Sequence, residues 1–596
     1  MCGVAFGISL NRFESLTLKE GIYSRGKDNF GSFNTSEGHE LYHSRLSILD
    51  LSANGNQPML SKNKKWVISF NGEIYNYIEL KKKYNIKTKT SSDTEVLIEL
   101  ISQQGINVIK ELKGPFAFIL INILTNKKYF CRDAFGEKPL YVYKLSDKLA
   151  ISSTLKSLTW KNSKLNKEYI LDFLSSDFSL SNSTILKNIK SVEPGILFEI
   201  ENKDIKKVID FTIHKFSPPK KNHYDLSLIK KQVTKSILSK VNSDVPVCLF
   251  LSGGLDSSII AQVISESKLN KLIKAFSIGF DSKLDESKIA KQWSDEINID
   301  HETILITPKE ILDLLPEFLQ DMDNPTVDGL NVWLISKFTS SKGYTVALSG
   351  LGGDEIFAGY KVFYRFYFMK IFQPLLQLFR FFLSCFSSYK LRSKLFYNDV
   401  NLNFNNWAYK FLRSTVNTNY VKSNIINLKT NPENNFLKNN QQRPINLWTL
   451  NEFSQYTSKV LMNDSDTFGM SNDQEIRMPF VDLDLLSLIM CYPDYKKLSF
   501  KYNKPLLYKS FENLLPEYIV KKQKTGFSLP WKKWLRGELK SDIISQIKDL
   551  KLRGIFKEDF IDKELLWFNK KNDANWAFIW KLFILEKWLK LNYDKK

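Results

Sequence analysis

The chain has 596 residues, of which 43% are hydrophobic and 25% charged, and its formal net charge is +21. The length exceeds what one hydrophobic core usually covers, and the composition is that of a soluble globular enzyme, so two or more domains are expected and a membrane-spanning protein is excluded. The lysines are scattered and no basic-aromatic module is present, so the charge predicts a solvated basic exterior and no nucleic-acid partner.

The cysteines and the apolar segments bear on cellular location. The cysteines are odd in number, widely separated and without a CxxC pair, which disfavours a disulfide framework and a zinc site. The N-terminus lacks a basic leader before an apolar core, and the stretch 366–388 is interrupted by polar side chains, so it is interpreted as a buried amphipathic helix. We therefore expect a cytoplasmic protein. The cysteines are Cys2, Cys131, Cys248, Cys385 and Cys491.

The first ~200 residues alternate short β-branched or aromatic strands, such as 66–70 and 116–123, and predict a sheet-rich α+β domain. A polar stretch around 217–222, rich in Pro, Lys and Asn, is typical of a linker. The sequence therefore predicts a domain at 2–210, a linker at 211–225 and a second domain at 226–596.

The second half has a different pattern. Apolar strands at 245–251, 274–280 and 345–349 each precede a helical or glycine-rich segment, which predicts a parallel α/β sheet. Beyond residue 360 the periodicity is mostly helical, and the chain closes with an amphipathic, Trp-rich segment at 576–591.

Cys2 is the first candidate for chemistry. It follows the initiator Met, whose removal would leave a cysteine with a free α-amine. Because such an amine has a pKa of about 7.7 to 8.0, it is partly neutral in the cell and can take the thiol proton. Nucleophile and base would then belong to one residue, although His39 and His43 leave a Cys–His pair open.

Three further segments carry groups that could hold an amino acid amide. An Arg can bind an α-carboxylate with two parallel hydrogen bonds, while an acid receives the α-ammonium. An Asn side chain and a Gly amide can form an oxyanion hole, where the loss of one donor typically costs about 3 to 4 kcal/mol. The candidate residues are Arg45, Asn71, Gly72, Glu73 and Asp93.

Residues 2–200 resemble the glutaminase domain of asparagine synthetases and their class II amidotransferase relatives. The likeness rests on the initial Met-Cys-Gly, on Arg-Gly-Lys-Asp at 25–28, where Lys27 replaces the usual proline, and on Gly-Pro-Phe-Ala-Phe at 114–118. It implies an Ntn-hydrolase αββα sandwich. It also implies that Arg45, Asn71, Gly72, Glu73 and Asp93 contact glutamine, with Asn71 and Gly72 as oxyanion donors.

Two glycine-rich turns follow predicted strands of the second half. Residues 252–257 read Ser-Gly-Gly-Leu-Asp-Ser between a strand and a helix, a combination that suits an anion because backbone amides, hydroxyls and the helix N-terminus converge. A second turn, Ser-Gly-Leu-Gly-Gly-Asp-Glu, occupies 349–355. A carboxylate in each turn, Asp256 and Asp354, would repel a nucleotide unless a divalent cation bridged them, so Mg²⁺ is predicted.

The first turn resembles the pyrophosphate loop of ATP pyrophosphatases, and the order of motifs, including 475–482 and 521–527, is that of asparagine synthetases. This resemblance implies that Lys504 stabilises charge during acyl transfer. It implies an ATP site made of Leu251, Ser252, Gly253, Gly254, Asp256, Ser257, Ile278, Ser349 and Gly350. A homodimer is a further expectation from the family.

The leading hypothesis is glutamine-dependent asparagine synthesis with ATP-Mg²⁺, in which glutamine supplies ammonia to adenylated aspartate. An alternative keeps this chemistry on another carboxylate, such as a sugar or peptide precursor, because Leu351 stands where family members often carry an acid. An RNA-adenylating enzyme would explain the net charge but not the N-terminal glutamine site. The intact Cys2 and both turns argue against a scaffold without activity.

Overall fold

A computed structural model of the protein describes residues 2–161, 163–201, 203–215, 224–280, 285–378, 403–428, 442–521, 529, 531–570 and 576–594. Most of the predicted linker at 211–225 lies outside these residues. So do Cys385, the end of the predicted helix at 366–388 and most of the motif at 521–527. The predicted domain boundaries stay a prediction.

The described N-terminal residues form two six-stranded sheets whose neighbouring strands run antiparallel. Their orders are β10-β8-β9-β1-β3-β2 and β12-β11-β7-β6-β5-β4. The strands are β1 (Gly3–Ile8), β2 (Asn29–Asn34), β3 (Glu40–Arg45), β4 (Met59–Leu60), β5 (Trp66–Gly72), β6 (Phe116–Asn122), β7 (Lys128–Arg132), β8 (Tyr141–Leu145), β9 (Lys148–Ser152), β10 (Ile189–Ser191), β11 (Ile196–Glu201) and β12 (Asp204–Asp210).

The two sheets pack face to face, and helices cover both outer faces. Val4 and Phe6 of β1 meet Ile119 of β6 in the core between the sheets, which is why the central strand β1 is buried at every position. One pair of helices packs on the β5 sheet and the other on the β1 sheet, so the predicted αββα sandwich is confirmed. These helices are α1 (Arg12–Glu20), α2 (Tyr77–Lys83), α3 (Asp93–Gln104) and α4 (Lys167–Ser176).

The second half contains a five-stranded sheet whose paired strands are parallel. Its order is β15-β14-β13-β16-β17, so the chain leaves β13 towards β14 on one side and later returns to β16 on the other. In open parallel sheets, ligands bind at the carboxyl ends of the strands where the order reverses in this way. The strands are β13 (Val247–Phe250), β14 (Lys274–Gly279), β15 (His301–Leu305), β16 (Val346–Leu348) and β17 (Glu475–Arg477).

Helices surround this sheet and continue to the C-terminus. Those interleaved with the strands are α5 (Leu226–Ser239), α6 (Leu255–Glu266), α7 (Ser287–Glu296), α8 (Pro308–Asp321), α9 (Leu330–Ser340), α10 (Gly353–Ile356) and α11 (Lys361–Ile371). Later α-helices span Phe404–Arg413, Thr418–Asn424, Pro444–Glu452, Asn463–Ser471, Leu483–Cys491, Asp494–Lys497, Pro505–Ser510, Glu517–Val520, Trp531–Trp534, Lys540–Asp549, Phe560–Lys570 and Trp576–Trp588.

Short turns of other helix types complete the described structure. The 3₁₀-helices span Tyr23–Arg25, Ala53–Gly55, Ile106–Glu111, Lys156–Leu158, Ile213–Lys215, Glu512–Leu514 and Leu550–Arg553. π-Helices occupy Phe453–Met462 and Leu589–Tyr593. Among the described residues, no helix has both the length and the apolar character needed to cross a bilayer.

Candidate active sites

Cys2 lies in the N-terminal half, directly before the buried strand β1, and is itself buried. Its backbone amide donates to Asn71 Oδ1 over 3.0 Å, so the end of β5 is fixed beside the start of β1. The Asn71 side-chain nitrogen is buried and donates to no atom of the described residues. It is therefore available to an acceptor beside the Cys2 thiol, as an oxyanion donor must be.

Gly72 ends β5 in a conformation that favours glycine, with φ of +145°. A Cβ at this position would come within 2.1 Å of the Pro115 carbonyl oxygen. The close approach of the two strands therefore excludes any side chain at Gly72.

Arg45 ends β3, and its buried guanidinium is held by the loop that follows. It donates to the Ser52 carbonyl over 2.8 Å and to Asn56 Oδ1 over 2.9 Å. A Cβ on Gly55 would lie 2.2 Å from the guanidinium, so the small residue there makes room for it. Arg45 is thus fixed in place.

Two buried acids stand nearby. Asp93 begins α3, and its Oδ2 accepts from the Ile74 amide over 2.8 Å; burial raises the pKa of Asp93 to about 6. Glu73 Oε2 lies 2.5 Å from Arg477 Nη2 of strand β17. Burial raises the pKa of Glu73, and the Arg477 guanidinium opposes that effect.

Most of the predicted glutamine-site residues line one small cavity, and Asn71 adjoins it through its contact with Cys2. Glu475, from the C-terminal half, also lines it, and Arg477 and Lys138 lower the pKa of Glu475 to about 2 although burial raises it. No role for Glu475 was predicted from the sequence, where its one signal is its place in the motif at 475–482. The predicted residues on the cavity wall are Cys2, Arg45, Gly72, Glu73 and Asp93.

Opposing effects act on the pKa of the Cys2 thiol. Burial raises the pKa of its thiol, while the N-terminal ammonium, the Leu46 backbone and Arg45 lower it. His43 contacts the Phe70 carbonyl oxygen through Nε2 at 3.1 Å, and burial lowers the pKa of His43 to about 3. A neutral imidazole engaged with a backbone group offers no support for the Cys–His pair that the sequence left open.

The first glycine-rich turn joins β13 to α6 at the carboxyl edge of the parallel sheet. Its two hydroxyls, Ser252 Oγ and Ser257 Oγ, lie 3.1 Å apart, and Gly253 has φ of +67°. The N-cap of α6, Gly254, makes no side-chain capping bond, so the first amides of this 12-residue helix face no capping group. Such an end can bind a phosphate.

The second turn follows β16, the neighbour of β13, and therefore lies beside the first. A Cβ on Gly350 would be 3.0 Å from Asp256 Cβ, and one on Gly353 would be 2.5 Å from the Asp256 carboxyl carbon. The two turns thus fit together only because both positions are glycine. Between them Leu351 is half-buried against the apolar core.

Lys504 joins the two turns. Its ammonium contacts the carboxylate of Asp256 and lies 2.8 Å from Asp354 Oδ1, and the side chain is 3% exposed. The second oxygen of Asp256, Oδ1, is buried and accepts no hydrogen bond from the described residues. Two adjacent carboxylates with an unused oxygen fit Mg²⁺, which often takes one or two protein carboxylates and completes its coordination with phosphates and water.

The two residues predicted to line the adenine and ribose site lie on neighbouring parallel strands. Leu251 directly follows β13, and its amide donates to the Phe276 carbonyl over 2.8 Å; Ile278 is on β14. Both are buried at the carboxyl side of the sheet, next to the first turn.

Comparison with known proteins assigns each half to a described domain. Residues 1–212 match the glutamine amidotransferase domain model, and residues 228–590 match the asparagine synthase model. Over 601 residues the chain is 29% identical to asparagine synthetase [glutamine-hydrolyzing] 1 of Bacillus subtilis, covering 97% of this chain and 94% of that protein. It is 28% identical to asparagine synthetase [glutamine-hydrolyzing] 2 of Lotus japonicus, covering 61% of each.

Among solved structures, a glutamine phosphoribosylpyrophosphate amidotransferase from B. subtilis aligns with 16% identity over 60% of this chain and 77% of its own. The TM-score of this alignment is 0.27.

Proposed function

Because this chain belongs to the asparagine synthase family, we propose that it is a glutamine-hydrolysing asparagine synthetase with one reaction step in each half. The observation that carries the proposal is the pairing of a Cys2–Asn71 cavity in one half with two adjoining phosphate-type turns in the other. The two relatives described above carry the same name, which favours aspartate over a sugar or peptide carboxylate as the acceptor.

In the N-terminal half, the Cys2 thiolate attacks the side-chain amide carbon of glutamine, and ammonia leaves with formation of a thioester that water hydrolyses to glutamate. The α-amine of Cys2, freed by loss of Met1, takes the thiol proton. Asn71 Nδ2 and the Gly72 amide stabilise the oxyanion. Arg45 binds the α-carboxylate, and Glu73 and Asp93 bind the α-ammonium.

In the C-terminal half, the aspartate side-chain carboxylate attacks the α-phosphorus of ATP, and pyrophosphate leaves. Ammonia then attacks the acyl-adenylate, and AMP leaves. The first turn and the N-terminus of α6 hold the phosphates, and Lys504 compensates negative charge beside Asp256. Mg²⁺, held by Asp256 and Asp354, would supply charge neutralisation at the phosphates. Leu251, Ile278, Ser349 and Gly350 contact the adenosine.

The experiment that tests this function measures pyrophosphate and asparagine with purified protein, glutamine, ATP and Mg²⁺, with and without aspartate. We expect both products to require aspartate and to form in equal amounts. Pyrophosphate release that is the same without aspartate would refute the asparagine synthetase assignment. The homodimer and the cytoplasmic location belong to the same proposal, and sedimentation analysis and cell fractionation test them.

A further inference from the structure

Arg477 is a fully buried residue of the edge strand β17 whose backbone and side chain serve different parts of the molecule. Its carbonyl oxygen accepts from the Ser349 amide, the first residue of the second turn, over 2.9 Å. Its side chain pairs with Glu73, which lines the glutamine cavity. The sequence motif at 475–482 had received no role.

The guanidinium contacts four groups, one of them, Glu73, through an ion pair and the other three through hydrogen bonds. Nη2 lies 2.5 Å from Glu73 Oε2, and Nε donates to Glu475 Oε1 over 2.7 Å. Nη1 donates to the carbonyl oxygens of Lys240 and Asn242 over 2.8 and 2.6 Å, in the segment that leads from α5 to β13. Only a planar group with several fixed donors can satisfy these partners together.

We infer that Arg477 is a positioning residue for glutamine hydrolysis: it holds Glu73 of the N-terminal half in the orientation that receives the α-ammonium of glutamine. The inference rests on the proposed function. It means that the glutamine cavity is completed by a residue of the C-terminal half, which no local motif of the N-terminal half contains.

The charge balance of the cluster supports this role. Two buried carboxylates, Glu73 and Glu475, share one guanidinium, so Arg477 alone compensates only one of the two charges when both acids are ionised. A buried excess charge is unfavourable unless a partner compensates it. The α-ammonium of a bound glutamine is a single positive charge and would complete the balance.

The same cluster predicts a pH dependence. Glu73 is faced by Arg477 and Glu475 of β17, by Asp93 of α3, by Tyr75 and Tyr77 of its own segment, and by Lys240 after α5. Glu73 must be ionised to receive an ammonium. Loss of the Arg477 charge raises the pKa of Glu73, and loss of the Glu475 charge lowers it.

The test compares Arg477→Gln, Arg477→Lys and Glu475→Gln in the full-length protein, measuring KM and kcat for glutamine against pH. We expect Arg477→Gln to raise the KM about 10- to 100-fold and to move the acidic limb of kcat/KM to higher pH. Arg477→Lys should restore part of the affinity, since it keeps the charge. Glu475→Gln should move the limb to lower pH.

Arg553→Gln is the matched control, because Arg553 also pairs with a buried glutamate, Glu586, but far from the cavity among the C-terminal helices. This variant should leave unchanged both the KM for glutamine and the acidic limb of the kcat/KM profile. Opposite shifts from Arg477→Gln and Glu475→Gln are not expected of residues that only support the fold.

The outcomes separate the two proposals. If the wild-type protein hydrolyses glutamine and Arg477→Gln keeps its KM and its limb, the positioning role is wrong while the function stands. If the wild-type protein does not hydrolyse glutamine, the proposed function is wrong. Ammonium-dependent synthesis reports whether each variant folds. If Arg477→Gln does not fold, the other two variants decide: an unchanged acidic limb of kcat/KM in both Arg477→Lys and Glu475→Gln would refute the positioning role of Arg477.

Discussion

In both the glutamine cavity and the paired glycine-rich turns, two acids contact one buried cation from a distant part of the chain. In the cavity the cation is Arg477, between Glu73 and Glu475. At the turns it is Lys504, between Asp256 and Asp354. In each of these contacts one cation faces two carboxylates, which favours an additional positive charge nearby.

The two cations differ in what they permit. Arg477 has four partners, two of them backbone carbonyls, and is therefore held in a fixed position behind Glu73 and Glu475 of the cavity wall. Lys504 carries a compact charge on a flexible stem, and Asp256 keeps one oxygen without a hydrogen-bond partner in the described structure. The cavity side of the comparison is therefore closed by fixed contacts, whereas the turns keep an unused carboxylate oxygen that a metal could take.

The largest effect is expected from Cys2→Ala, which removes the nucleophile of one site and leaves the other untouched. Glutamine-dependent synthesis should fall by at least about 10⁴-fold, as expected when a nucleophile is removed. Synthesis from added ammonium should persist, as measured by asparagine formation with each nitrogen source. Loss of both activities would show that the two sites cannot be treated separately.

Asp256→Asn should act on the other site with a somewhat smaller effect. It removes one of the two carboxylates that Lys504 joins, so we expect pyrophosphate release to fall about 10²- to 10³-fold with either nitrogen source. Glutaminase activity should remain.

The control for this variant is Asp300→Asn. Asp300 is an exposed partner of Lys274 at the amino end of β15, the opposite edge of the same sheet. A similar loss of pyrophosphate release in Asp300→Asn would contradict a specific role for Asp256.

The smallest effect concerns pH. The pKa of Asp93 is raised to about 6 by burial, so Asp93 loses its charge as the pH falls through that value. Because the neutral acid no longer attracts the α-ammonium, kcat/KM for glutamine should fall by about a further tenfold per pH unit below pH 6, in addition to the fall that Glu73 and the α-amine cause.

In Asp93→Asn the KM for glutamine at pH 8 should be higher. Below pH 6, kcat/KM for glutamine should fall less steeply than in the wild-type protein, by about a factor of ten per pH unit, because one ionisation is lost. Ammonium-dependent synthesis at pH 5.5 checks that the protein is still folded. An equally steep fall in Asp93→Asn would assign the limb to another group, with Glu73 as the neighbouring acid.

Short sequence motifs predicted many of the residues of both sites. The segment 71–73 spans the end of strand β5, and the turn 252–257 joins strand β13 to helix α6. The side chains and amides within each segment lie close together because the backbone geometry of neighbouring residues places them there. Strands at 66–70 and 116–123 were predicted almost at their observed bounds, because alternating or continuous apolar runs between turns specify them. The roles assigned to these residues stay predictions.

The distant partners could not be predicted in the same way. The resemblance to asparagine synthetases singled out Lys504, but its residue type and neighbours did not predict its burial between two carboxylates. Lys504 is a left-handed residue at the start of a short helix, 150 residues after Asp354. Arg477 and Glu475 were visible as a motif but not as part of the glutamine cavity, since their contact with Glu73 spans two halves of the chain.

Sequence patterns predicted two domains, a sheet-rich N-terminal half, the parallel sheet and the local segments that carry Asn71, Asp256 and Asp354, and the resemblance to asparagine synthetases implied the αββα sandwich. The patterns depend on periodicity, on glycine and on residues adjacent in the chain. Only the tertiary structure decided which cation compensates which acids, because a buried charge is stabilised by whatever lies within a few ångströms in space, and those neighbours come from elements far apart in the sequence.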